Sequence, residues 1–220
     1  MFIRYHMTPS PITVTPETTV AEAIDIAQQK NIRHLLVTDQ QNRLLGILSD
    51  RDLLSARPSS VARSGERHRV EEQVNSTPVS ALMTRDCLIL HPNATLDDAL
   101  LLFQYRKIGA LPVVGDDEDK VVGIFTTIDL MNAYRRLFSL GDKGSMLISI
   151  EDHGDPQAMS KLARVMEEKQ ISFTRLIRAK NGDEGRAMIF LRINTYNIRA
   201  VHKALEAVGF TIHVPEELKK

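Results

Sequence analysis

Tryptophan is absent, aromatic residues make up 5% of the chain, and there is a single cysteine, Cys87. One thiol excludes an internal disulfide, and no Cys/His cluster has zinc spacing, so a reducing, cytoplasmic setting is the expectation. Cys87 itself reads as a small apolar strand residue. An excess of one charge is missing too: Lys+Arg and Asp+Glu number 28 each, which argues against the basic face of a nucleic-acid binder. The longest apolar run, residues 99 to 103, is far short of the ~20 residues of a membrane span, and residues 1 to 7 lack the apolar core of a signal peptide. No nucleophile elbow, phosphate loop of the G-x-x-x-x-G-K type, H-E-x-x-H or paired-carboxylate motif occurs, so neither catalysis nor a metal nor a catalytic cofactor is expected. What is present is 220 residues, 43% hydrophobic and 25% charged, enough for more than one ordinary globular core.

The chain says one thing twice. Gly46-Ile47-Leu48-Ser49-Asp50-Arg51-Asp52-Leu53 returns as Gly123-Ile124-Phe125-Thr126-Thr127-Ile128-Asp129-Leu130. Each copy reads as an apolar strand opened by glycine, a hydroxyl residue where the strand stops, and a carboxylate three positions on, where a helix has begun. A capping box explains a single copy, since hydroxyl and carboxylate then satisfy the free backbone donors of the first turn. The match extends further, however. Met7-Thr8 answers Met83-Thr84, Pro16 answers Pro92 and residues 20 to 23 answer 96 to 99, all at an offset of 76; one inserted residue makes the glycine offset 77. A whole folding unit is repeated. A helix N-terminus with its positive dipole end also suits an anion or a sugar phosphate.

Within each unit the pattern predicts a strand (Ile12-Thr13-Val14; Cys87-Leu88-Ile89-Leu90) and a helix (Val20, Ile24 and Ala27 on one face, ended by Asn31; residues 96 to 105). A hairpin of two apolar strands and a second helix follow. Met-Thr, strand, helix, hairpin and Gly-x-x-Ser/Thr-x-x-Asp in tandem resemble the CBS domain pair, or Bateman module, which commonly binds adenine nucleotides between its repeats. The resemblance spans about residues 1 to 138, with repeats at 1 to 54 and 79 to 138. It implies an adenine nucleotide as regulatory ligand and supplies the candidate site. Asp52 and Asp129 would accept from ribose hydroxyls, Ser49 and Thr126 would bond a phosphate or sugar oxygen, and Ile12, Leu36, Leu88 and Val113 would flank the adenine. Phosphate charge would fall to Arg33, His34, Arg51, Arg106 and Lys107. The first unit carries Arg33-His34 and Arg51 where the second has Gly109-Ala110 and Ile128, so two unequal clefts are expected; which cleft receives the first unit's charge depends on whether those side chains serve their own repeat or reach across.

Residues 55 to 78 read as a linker with a short helix near residues 70 to 74. Arg57, Arg63, Arg67, His68 and Arg69 there are offset by Glu66, Glu71 and Glu72, without interleaved aromatics, and read as a solvated face. Asp116-Asp117-Glu118-Asp119 lacks the calcium-loop pattern and reads as a hairpin turn. After Leu140-Gly141-Asp142-Lys143-Gly144 the rhythm changes. Strands at 146 to 150, 173 to 177, 187 to 193 and 210 to 214, with a helix opened by Asp155-Pro156 and another carrying Ile198, Val201 and Leu205, give strand, helix, strand, strand, helix, strand. That is the ferredoxin-like plan. Residues 145 to 220 resemble an ACT domain, although His153-Gly154-Asp155-Pro156-Gln157 lacks the usual glycine after proline. The fold class is therefore mixed α/β (α+β), a CBS pair followed by an ACT-like domain, an arrangement similar to AcuB-type acetoin utilization proteins. The resemblance implies a non-catalytic regulator, a homodimer, possessing a link to acetoin or central carbon metabolism. The alternative is a ligand-free dimerisation scaffold, and an enzyme acting on acetoin or a nucleotide is a distant third.

Overall fold

The computed structural model describes residues 1 to 56, 72 to 117, 120 to 181 and 186 to 213. The chain divides into two compact units, Met1–Ala133 and Tyr134–Lys220. In the first, the first repeat contributes β1 (Thr8–Pro9), β2 (Thr13–Val14), α1 (Val20–Gln29), β3 (His34–Thr38), β4 (Leu44–Ser49) and α2 (Asp50–Ser55); the second contributes α3 (Leu96–Arg106), β5 (Ala110–Val114), β6 (Val121–Thr126) and α4 (Thr127–Leu137). Each helix starts at a reciprocal cap. Thr19 with Glu22, Ser49 with Asp52 and Thr95 with Asp98 form capping boxes, and Thr126 with Asp129 makes the same bonds. The chain leaves α1 and α3 through left-handed residues 76 positions apart, Asn31 at φ 51° and Lys107 at φ 53°.

The sheets show why the repeats need each other. β2, β3 and β4 form one sheet, with β2 parallel to β3, but the other sheet runs β1-β6-β5, so the strand opening the first repeat pairs with the second repeat's hairpin. Thr84 in turn bridges Ile47 of β4. The exchange is reciprocal in detail. Ile3 N–H donates to Ala94 O as Val79 N–H does to Thr18 O, Arg4 N–H to Pro92 O as Ser80 N–H to Pro16 O, and Leu96 N–H to Met1 O as Val20 N–H to Thr77 O. The two motif glycines make the close approach possible. A Cβ at Gly46 would lie 2.8 Å from Thr84 O and 2.9 Å from Met83 Sδ; one at Gly123 would lie 2.6 Å from Met7 Sδ. Val79 and Met83 accordingly belong to the first repeat's core with Val20, Ile24, Leu35 and Leu48. Leu36 joins Ala110, Val121 and Ile124 in a cluster shared by both repeats.

The expected strand at residues 87 to 90 is a single bridge, Leu90 to Val113. Leu90 N–H donates to Pro112 O and Val114 N–H to Leu90 O, but the next bond of a parallel ladder needs an N–H from Pro112, which has none. Residues 72 to 75 are helical; residues 70 and 71 and the basic cluster Arg57, Arg63, Arg67, His68 and Arg69 lie outside the described residues, as do Glu118 and Asp119. Asp116 pairs with His91, Oδ1 to Nε2 at 2.9 Å.

The second unit has β7 (Ser145–Glu151), α5 (Ala158–Glu168), β8 (Phe173–Asn181), β9 (Arg186–Asn194) and α6 (Ile198–Ala207). The sheet order is β7-β9-β8, antiparallel throughout, and Ile212 bridges Ile150 on the far edge of β7. That is the ferredoxin-like plan, its last strand reduced to one bridge, with Val214 outside the described residues. The helix expected to open at Asp155-Pro156 begins at Ala158 instead. Leu162, Met166, Val201 and Leu205 from the helices close over Ile148, Ile150, Ile189, Leu191 and Ile193, each fully buried side chain contributing about 1.5 to 3 kcal/mol.

Candidate functional site

The β4-to-α2 and β6-to-α4 turns open into one cleft of about 1560 Å³ in the first unit. Ile12, Arg33, His34, Ser49, Arg51, Asp52, Leu88, Arg106, Lys107, Thr126 and Asp129 all line it. Leu36 and Val113 do not. Both have no exposed surface, because β3 and β5 are buried on both faces, so the ring contact that the resemblance implied for them has no solvent side here. Ile47 and Ile124, one residue beyond each motif glycine, line the cleft instead. Their place inside the repeated motif was the signal available for them. Among the described residues no group of three or more His, Cys, Asp or Glu side chains is placed to hold a metal, and no helix is long and apolar enough to cross a membrane.

The cap uses one oxygen of each motif carboxylate. Asp52 Oδ2 accepts from Ser49 N–H at 2.8 Å and Ser49 Oγ–H at 2.7 Å, and Asp129 Oδ2 accepts from Thr126 N–H at 2.9 Å and Thr126 Oγ1–H at 2.7 Å. Oδ1 of each carboxylate is left to accept from a ligand. The hydroxyls fare differently. Ser49 Oγ gives its one proton to Asp52 and accepts Asp52 N–H at 3.2 Å, and Thr126 matches it. A closed cap therefore leaves each hydroxyl only a lone pair, so neither donates to a phosphate, which accepts only.

The helix N-termini are likewise mostly closed to anions. Asp50 N–H donates to Arg33 O at 2.8 Å and Thr127 N–H to Gly109 O at 3.1 Å, while Asp52 and Asp129 N–H serve the caps. In each first turn the middle N–H, of Arg51 or Ile128, is the donor left over. The remaining charge in the cleft is on side chains. Here the expected concentration of charge on the first unit's side is corrected. Asp50 and Asp86 also line the cleft, so Asp50 and Asp52 offset Arg33 and Arg51, and Asp86 and Asp129 offset Arg106 and Lys107. Burial pushes the His34 imidazole below its ordinary pKa, against the pull of Asp50 and Asp52 and with the help of Arg33. The ring reaches the other repeat, lying 3.3 Å from where a Gly109 Cβ would be. A side chain at position 109 and the imidazole compete for that space, so one repeat alone can fill it.

The CBS domain model matches residues 3 to 59 and 79 to 136. Over 123 residues the chain is 37% identical to the inosine-5'-monophosphate dehydrogenase of Aquifex aeolicus, covering 56% of this chain and 22% of that enzyme. The chain thus spans about a fifth of that relative's length. Among solved structures, CBSX2 in complex with AMP superposes with a TM-score of 0.53 at 29% identity, over 62% of this chain and 97% of that one. A Vibrio cholerae protein assigned provisionally to acetoin utilization (AcuB) gives a TM-score of 0.53 at 32% identity, over 64% and 94%.

Proposed function

This chain belongs to the CBS domain family, and on that premise we propose a non-catalytic regulator that takes an adenine nucleotide or related adenosyl ligand in the cleft between its repeats. One observation carries the reading: two carboxylates, each fixed by a cap through Oδ2 and open at Oδ1, line a single cleft. An ionised carboxylate oxygen accepts from vicinal ribose hydroxyls without needing a proton of its own. Ile12, Leu88, Ile47 and Ile124 supply apolar surface for the base, and Arg33, Arg51, Arg106 and Lys107 the charge for phosphates. The AMP complex of the similar CBSX2 supports this choice of ligand. Residues 1 to 54 and 79 to 138 are the repeats, 55 to 78 the linker, and 145 to 220 an ACT-like domain that receives the signal. Binding moves such a relay only through differential affinity for two conformations. A cytoplasmic homodimer with a role in acetoin or central carbon metabolism completes the proposal, the last supported by the likeness to the AcuB protein.

Calorimetry with AMP, ADP, ATP, NAD and S-adenosylmethionine tests it on the parent and on the single variants Asp52→Ala and Asp129→Ala. At least one ligand is expected to bind, and at least one substitution to abolish the tighter binding. Variants that bind like the parent but melt earlier would reduce both motifs to helix caps, and a parent that binds none of the five would leave the scaffold reading.

A further inference from the structure

In the second unit Ile148 and Ile150 of β7 and Ile189, Leu191 and Ile193 of β9 are buried in the core with residues of α5 and α6. Alternation therefore turns Leu147 and Ser149, and Phe190 and Arg192, to the helix-free face. In register, Arg192 lies between Leu147 on β7 and Arg175 on β8, and the next rung is Ser149, Phe190 and Ile177. Two arginines thus occupy directly opposite positions on neighbouring strands, and like charges so placed destabilise a sheet when nothing intervenes.

Neither arginine has a carboxylate partner among the described residues. Arg192 Nη1 donates to Ser145 Oγ at 3.0 Å, and Arg175 Nη1 donates to the carbonyl of Thr174. Glu151, the acidic residue of this face on β7, lies two rungs away, its oxygens 3.9 Å from His153 and His213. The register of β8 shifts between Phe173 and Arg175, and such bulges re-aim a side chain. Arg175 Nε and Thr174 Oγ1 are buried without a hydrogen-bond partner. Repulsion across the strands and an unsatisfied buried donor are two costs in one place, and an oxyanion offsets the first and gives the Arg175 fork an acceptor. Leu147, half exposed, Phe190, and Ile177, 38% exposed, lie on the same two rungs.

We propose that Arg175 and Arg192 form an oxyanion site on the helix-free face of this sheet, for the carboxylate or phosphate of a small ligand whose apolar body lies over Phe190 and Ile177. A second copy of the sheet is a poorer occupant, because a two-fold face-to-face pairing would gather four guanidiniums. The site is independent of the adenosyl cleft, and its test reads the arginines themselves.

The full chain, labelled at arginine side chains, is titrated in an NMR experiment with acetate, benzoate, inorganic phosphate and phenyl phosphate against chloride at equal ionic strength. The Arg175 and Arg192 guanidinium signals are expected to shift to saturation with the oxyanions and not with chloride. Benzoate and phenyl phosphate should bind several-fold more tightly than acetate and phosphate, and the stronger of that pair identifies the head group. Arg175→Gln and Arg192→Gln should each weaken binding at least ten-fold. Each should also shift the ligand-free denaturation midpoint upward, which shows that the fold is kept. Signals that do not respond, affinities that survive both substitutions, or variants that unfold more easily while still binding would overturn the site.

Discussion

At the scale of single residues, each motif carboxylate has one oxygen held in a cap and one open to the cleft. The spacing Ser/Thr-x-x-Asp revealed the cap, and its recurrence marked the two motifs as one candidate site. What the sequence concealed was the bookkeeping of protons: in the cap each hydroxyl's single proton goes to its own carboxylate, and a lone pair is what Ser49 and Thr126 keep for the cleft. Asp50 was also passed over, because nothing in its spacing separates a cap-adjacent carboxylate from one lining a cleft. With Asp50 and Asp52 offsetting Arg33 and Arg51, and Asp86 and Asp129 offsetting Arg106 and Lys107, the two repeats bring equal formal charge to the cleft, and His34 is what the first repeat alone adds. One of Asp52→Ala and Asp129→Ala is expected to remove the tighter adenosyl binding and the other to leave it nearly intact, as calorimetry would show; charged hydrogen bonds of about 1.5 to 3 kcal/mol each set the scale. Each variant should cost about 1 kcal/mol as a lost cap. His34 gives a pH signature. Its folded pKa is lowered, chiefly by burial, so between that value and about 6.5 the unfolded chain binds the extra proton. Its contribution to stability is complete above about pH 6.5 and declines as pH falls through that value. Denaturant titrations from pH 8 to pH 5 should show this decline in the parent and a flatter course in His34→Gln; equal slopes would contradict it.

At the scale of elements, the helices and hairpins were legible because each carries its own start signal and period. Contacts between elements were not. Equal spacing of Met7-Thr8 and Met83-Thr84 says that the two segments correspond, and cannot say that each sits in the other's sheet. Nor does a lone proline in the string Leu111-Pro112-Val113 announce that a neighbouring strand will stop at one bridge. The motif glycines register the exchange physically. Gly46→Ala and Gly123→Ala each place a methyl against a methionine sulfur that the opposite repeat supplies, at 2.9 Å and 2.6 Å. Overpacking of this kind typically costs about 1 to 3 kcal/mol. Urea denaturation should find both variants destabilised by that order, and changes within about 0.5 kcal/mol, the range of a neutral surface site, would show that the packing yields easily.

For the molecule as a whole, the mixed α/β class and the pairing of a repeated module with a ferredoxin-like unit were readable from element order alone, since that order restricts topology severely. The arginine pair was not, because Arg175 and Arg192 are 17 positions apart and only register brings them together. A ferredoxin-like sheet ends in an edge strand, here β8, and such edges are often paired or covered. Light scattering at tens of micromolar, a range that reads moderate affinities, is expected to give twice the mass of one chain; a monomer would count against the homodimer. The reciprocal exchange of opening segments has a consequence in time. On a ribosome the first repeat emerges with its glycine surface bare, and Gly46 meets Met83 only 37 residues later. Thr8 waits longer for Ile124, which follows by 116 residues, roughly 6 to 23 seconds at ordinary rates of synthesis. Nascent chains stalled before and after β6 should then differ sharply in resistance to protease, for neither half of this module is finished until both have been made.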